Sequence, residues 1–341
     1  MKKEINKRIS KNEATKNSTS RRIILIALIV LTAVAGVKLY QNKSVIFDWF
    51  ASLSYQSTPE IEALENSTGM TDSAKLILHA SYPSLESRET FNNYCKSNDP
   101  SVSILGCYTN GRIYLYDINE ESLSGVKEST LAHELLHAVW DRLSGFEKNK
   151  ISEKLTEVFN DERYNSLLSE NLEYYDESER MGELHSRIGT EIVELPKELE
   201  SHYAKYFKDQ DAIVVFFNNY VTPFRELSDK IAELSEKIEA LSNDIDDKFK
   251  VYYEAAEKLS AEINDFNECA RTQDCFAKES DYRTKRDSLS SRKDALDGDF
   301  AKIDELVKQY SALVQEYNDN IVRGQQLESL INSNVKIEDI K

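Results

Sequence analysis

The chain has 341 residues and a formal net charge of −17, with only ten glycines and five prolines, so long uninterrupted elements are expected. Residues 1–22 carry eight Lys/Arg against Glu4 and Glu13, a local +6 that leaves −23 for the rest. An acidic body of this kind argues against nucleic acid as a partner.

In chain order, the basic segment 1–22 is followed by an apolar stretch at 23–40, beginning "IILIALIVLTAVAGV". About 18 apolar residues lie near the lower limit for crossing a bilayer, which predicts a transmembrane helix over 23–40. With Arg21 and Arg22 abutting it, the positive-inside rule keeps 1–22 in the cytoplasm and sends the remainder out. The expected location is therefore the cell membrane, single-pass, with an extracytoplasmic C-terminal body. Ala33-Val34-Ala35 also resembles a signal-peptidase site, but the basic head is long for a signal peptide. Residues 41–57 read as a juxtamembrane linker.

A mixed region spans 58–221. "TPEIEALENSTG" reads as a short helix with Pro59 in its first turn. "AKLILHASY" alternates and predicts a strand, and "SILGCYTNGRIYLYDI" predicts a hairpin turning at Asn110-Gly111. Helices are expected at about 126–143, 149–168, 177–193 and 197–207, while "DAIVVFFNNYV" reads as either helix or strand. From Pro223 onward Leu227, Ile231, Leu234, Ile238, Leu241 and Ile245 step by four and three. After Cys275, residues Tyr282, Leu289, Leu296, Ile303, Tyr310 and Tyr317 recur every seventh position. Two heptad runs around "CARTQDC" predict an antiparallel coiled-coil hairpin over 222–333, with a tail at 334–341. Its arms offer a surface for a protein partner. In an exported chain the close pairs Cys95/Cys107 and Cys269/Cys275 are expected as disulfides.

Chemistry concentrates in "LAHELLHAVWD", residues 131–141 of a chain with five histidines. His133 and His137, four apart on a helix, share a face and can hold one ion. Glu134 is turned about 100° away, suited to a water on that ion rather than to the ion. The competing reading is a helix whose Leu136, Val139, Trp140 and Leu143 face a core while its histidines are merely polar.

This His-Glu-x-x-His segment and its surroundings, roughly residues 75–210, resemble the zincin metallopeptidases. The resemblance implies an α+β domain, with a sheet ahead of the motif helix whose edge strand binds extended substrate. It implies Zn2+ as cofactor, with Glu134 as the general base in hydrolysis of a peptide or protein substrate. Trp140 and Leu143 stand where the metzincin branch needs Gly and His, which leaves the gluzincin-like branch. There the third ligand is a glutamate on a later helix, and "ERMGELHSRIGTEIVEL" supplies Glu183, with His185 and Glu191 as alternatives. Arg187 departs from the pattern, which often has an aspartate at that position. His202 and Tyr203 are the nearest polar candidates to steady an oxyanion.

The expected protein is thus a membrane-anchored zinc metallopeptidase: an α+β, zincin-like domain with an N-terminal transmembrane helix and a C-terminal coiled-coil hairpin. Two alternatives remain: a non-enzymatic envelope scaffold acting through its coiled coil, and a zinc amidase acting on cell-wall cross-links.

Overall fold

The computed structural model describes Thr32, residues 43–96, 103–169, Leu172, and residues 175–272 and 275–334. The expected span at 23–40 falls, apart from Thr32, outside the described residues, as do the segments 1–22 and 335–341. Among the described residues no helix is long and apolar enough to cross a membrane.

The chain divides into two compact units, 1–119 with 124–218, and 120–123 with 219–341. The first begins with helices α1 (Lys43–Ser52), α2 (Pro59–Ser67) and α3 (Asp72–Ala80). Thr58 caps α2 and Thr71 caps α3, each side-chain oxygen accepting from a backbone N–H three residues on. Strand β1 (Ser84–Glu86), helix α4 (Arg88–Tyr94) and strands β2 (Gly106–Thr109) and β3 (Arg112–Tyr116) follow. The sheet runs β1-β3-β2, with β1 parallel and β2 antiparallel to β3. Asn110 (φ 50°) and Gly111 (φ 74°) make the tight turn in the left-handed region, where Asn and Gly are the least strained residues. A disulfide joins Cys107 of β2 to Cys95 at the end of α4.

Helix α5 (Val126–Arg142) carries the motif, and α6 (Gly145–Phe159), α7 (Asn165–Ser169), α8 (Glu177–Glu191) and α9 (Lys197–Tyr203) surround it. Ser144 and Glu147 form a reciprocal capping box at the start of α6. The core gathers Leu131, Leu135, Leu136 and Val139 of α5 with Leu184 and Ile188 of α8, Leu199 and Tyr203 of α9, and Leu78 of α3.

The expected α+β class is corrected. Helices account for 76% of the described residues, among which the single sheet has three short strands. The segment read as a strand, "AKLILHASY", lies mostly in α3. Its cap at Thr71, the acidic Asp72 behind it and burial of Ala74 and Leu78 four apart outweigh the short alternation.

The second unit is a helical hairpin formed by the latter part of α10 (Gln210–Thr272) and by α11 (Glu279–Ile331). Helix α10 runs unbroken through Pro223, so the change of character there is one of surface pattern and not of backbone. Lys230–Glu316 (3.0 Å), Tyr252–Phe300 (5.5 Å between rings) and Glu262–Arg292 (2.7 Å) are successive rungs of an antiparallel pairing. Leu227, Leu234, Ile245, Leu259, Leu289 and Ile303 are buried along the seam. At 1.5 Å per residue α11 is roughly 80 Å long. The Cys269–Cys275 disulfide clips its tip beside Phe266, Phe276 and Tyr282.

Candidate metal centre

Two helices build the centre. Helix α5 presents His133 and His137 from adjacent turns, and α8 crosses it closely enough to bring Glu183 onto both. Gly189 permits that approach, because a Cβ there would stand 2.5 Å from Leu136 Cδ1 and 2.6 Å from Tyr203 Cε1. The His133 and His137 Nε2 atoms lie 3.1 Å apart, and Glu183 Oε2 lies 3.6 and 3.2 Å from them. These three residues form the one group among the described residues arranged to hold a metal ion.

The spacing suits zinc. An ion bonded at about 2.1 Å to tetrahedrally placed atoms holds those atoms roughly 3.4 Å apart. Glu183 Oε2 is moreover buried without a hydrogen bond of acceptable geometry, a costly state for a carboxylate oxygen that a cation would relieve. The imidazoles keep 22% and 24% of their side-chain surface open, against 6% for Glu183. One side of the centre therefore faces solvent, as a catalytic site with an open coordination position requires.

The electrostatics follow from this crowding. Burial pulls the His133 imidazole down, but the Glu183 carboxylate beside it more than offsets this and raises its pKa to about 9. Burial pushes Glu183 up, and His133 and His137 hold it well below the usual carboxylate range. Glu134 is buried and its carboxyl is raised, chiefly by burial, against the pull of His137, His133 and the Tyr108 backbone N–H.

Glu134 has a second constraint. The N–H of Tyr116 donates to Leu105 O at the ladder end, so by alternation the backbone groups of Gly106 and Tyr108 point away from β3, and the Tyr108 N–H reaches Glu134. A Cβ on Gly106 would stand 2.6 Å from Thr130 Cγ2 and 2.9 Å from Glu134 Cγ, so only glycine lets strand and motif helix come this close. Edge strand β2 thus lies directly beside the buried acid.

The remaining predicted residues go elsewhere. Glu191 accepts from Arg187 through both oxygens, each at 3.0 Å, and Arg187 also donates to Leu167 O and Leu168 O. Arg187 therefore ties α8 to the preceding segment. His185 is buried against Trp140 of α5 and Tyr203 of α9, its Nε2 2.8 Å from His202 Nε2. The Tyr203 hydroxyl donates to His185 O at 2.8 Å. His202 and Tyr203 are buried in the core and are not part of the metal-holding group.

Tyr175, not singled out in the sequence, lies within the electrostatic reach of Glu183 and Glu134. Its hydroxyl is raised by burial and by the neighbouring Glu183 and Glu134 carboxylates, although a third of the residue is exposed. Its only sequence signal is its position just ahead of the ligand helix, in a chain with eighteen tyrosines. No protein-family model matches the chain, no curated protein matches its sequence and no solved structure matches its fold. The residues of the centre themselves are therefore the ground for any functional reading.

Proposed function

We propose that the chain is a zinc-dependent peptidase that uses Glu134 as its general base. One observation carries the reading: His133, His137 and Glu183 converge at tetrahedral spacing with a buried carboxylate, Glu134, on the same helix turn. The two imidazoles and the Glu183 carboxylate would hold the ion, which when bound supplies Lewis-acid polarisation and acidifies a water.

The chain's own residues do the rest. Glu134 takes the proton of the attacking water and returns it to the leaving amine. Burial moves its carboxyl toward the range in which one group can do both near neutrality. The Tyr175 hydroxyl, in the field of Glu183 and Glu134, is placed to donate to the oxygen on which charge develops. An extended peptide has β2 as its natural rail, since that strand is an edge of the sheet and runs beside Glu134. Elemental analysis of the purified full-length chain should find one zinc, and chelation should abolish cleavage of an unstructured peptide until zinc is restored. Protein that cleaves equally well without metal would remove this reading.

A further inference from the structure

Helix α1 is amphipathic in the inverse sense. Its inward face is polar or small: Ser44, Asp48, Ala51 and Ser52, spaced four, three and one apart. Asp48 is 8% exposed and receives both of its bonds from Arg142 Nε, at 3.0 and 2.9 Å, while the Tyr82 hydroxyl donates to Ala51 O at 3.1 Å. Outward stand Val45, Ile46, Phe47, Trp49, Phe50 and, one residue past the helix end, Leu53, from 36% to 72% exposed. No charged residue interrupts that face between Ser44 and Leu53. Water is a poor solvent for such a surface, and a monomer rarely shows one without a partner.

We infer that this face is a bilayer-docking surface, with α1 lying in the headgroup–acyl boundary. The occupant is a lipid surface because of what precedes α1 in the chain. The apolar stretch 23–40 ends only three residues before Lys43, where the helix begins. Three extended residues span roughly 10 Å. Wherever that stretch enters lipid, α1 is held at the boundary. Its composition fits: Trp and Phe favour the interface, and an apolar face of this width inserts shallowly and parallel to the surface.

Arg142 gives the docking a consequence for the rest of the domain. It closes α5 little more than one turn beyond His137, and besides Asp48 it donates to the Tyr108 hydroxyl (3.3 Å), Ser81 Oγ (3.3 Å) and Ala138 O (2.8 Å). The lipid-facing helix is thus fastened to the motif helix and to edge strand β2 by one guanidinium. Docking fixes how the candidate centre is presented to the membrane. This inference is independent of the metal reading and stands or falls separately from it.

Trp49 is the built-in probe. The full-length chain is reconstituted into phosphatidylcholine vesicles, either plain or brominated near the ester end of the acyl chains, and the fluorescence of the wild type is compared with Trp49→Phe, which retains only Trp140. The expected result is a short-wavelength Trp49 emission that loses most of its intensity in the brominated vesicles and resists aqueous acrylamide. Phe47→Ser/Phe50→Ser protein, checked for an unchanged circular dichroism spectrum, should lose that quenching. If that variant fails to fold, the single change Phe47→Ser, at the most exposed of these residues, should reduce it. Trp49 emission quenched by acrylamide and not by bromine would overturn the inference. So would shielding from both, which points to a second copy as the cover, or full bromine quenching retained in the serine variants.

Discussion

Glu183 Oε2 stands 3.2 Å from His137 Nε2, joining two helices at a point where neither could hold a metal alone. Glu191, two turns along the same helix, is instead held by Arg187. Replacement should separate the two acids. Glu183→Gln and His137→Ala should each weaken zinc binding well beyond the roughly 10- to 100-fold expected of a supporting residue, whereas Glu191→Gln should stay within that range. Competition with a chromogenic chelator measures this, and greater sensitivity at Glu191 would reassign the ligand.

Gly106 should be a sensitive position that touches no metal ligand. Alanine there collides with Thr130 and Glu134, so Gly106→Ala should shift the carboxylate while His133, His137 and Glu183 keep zinc. A displacement of about 1 Å at a reacting group costs on the order of 100-fold in rate. Zinc content unchanged with kcat strongly reduced is the expected pattern, and unaltered kcat would place Glu134 outside the reaction.

The His185–His202 pair should make the fold acid-sensitive. Burial, with Lys205 adding to it and Glu147 opposing, pulls His202 down to about 4, and burial beside His202 lowers His185 as well. A histidine with a lowered folded pKa favours folding while neutral. Its contribution is present above the unfolded value near 6.5 and is lost as pH falls through about 4. Urea unfolding across that window should show a loss on the order of 3 kcal/mol from His202. His202→Gln should flatten the slope; an unchanged slope would contradict the assignment.

The Cys95–Cys107 bond closes a short loop, with a sequence separation of 12, and holds the strand beside Glu134. Reduction, or Cys95→Ser/Cys107→Ser, should cost about 3 kcal/mol of stability on the chain-entropy model. Thermal unfolding with and without reductant tests it. Because β2 borders the candidate centre, peptide cleavage should decline in parallel, and a Tm that ignores reductant would mean that the bond does not constrain the domain.

Local chemistry was more legible in the sequence than architecture. Asn110-Gly111 specifies its turn because few other residues tolerate positive φ at both positions, and the heptads specify packed helices, which the short link "CARTQDC" between the two runs turns back antiparallel. His133 and His137 share a face by helix geometry alone. The class was misread at residues 74–82, where apolar alternation outweighed the Thr71 cap in the reading but not in the fold. Pro223 marked a boundary in composition and none in the backbone. Relationships between distant segments left no pattern to read: Gly106 is one small residue before a cysteine, Tyr175 one tyrosine among many, and Asp48 an acid in an apolar run until Arg142 meets it.

The most direct measurement is of Glu134→Gln in the full-length chain, with zinc content and peptide cleavage determined on the same preparation. The substitution removes the base and keeps the volume, and Glu134 is not among the residues placed to hold the ion. Stoichiometric zinc is expected in both proteins, with a loss of kcat of about 100-fold or more in the variant. Equal cleavage by wild type and variant, or a wild-type chain that binds no zinc, would contradict the proposed function.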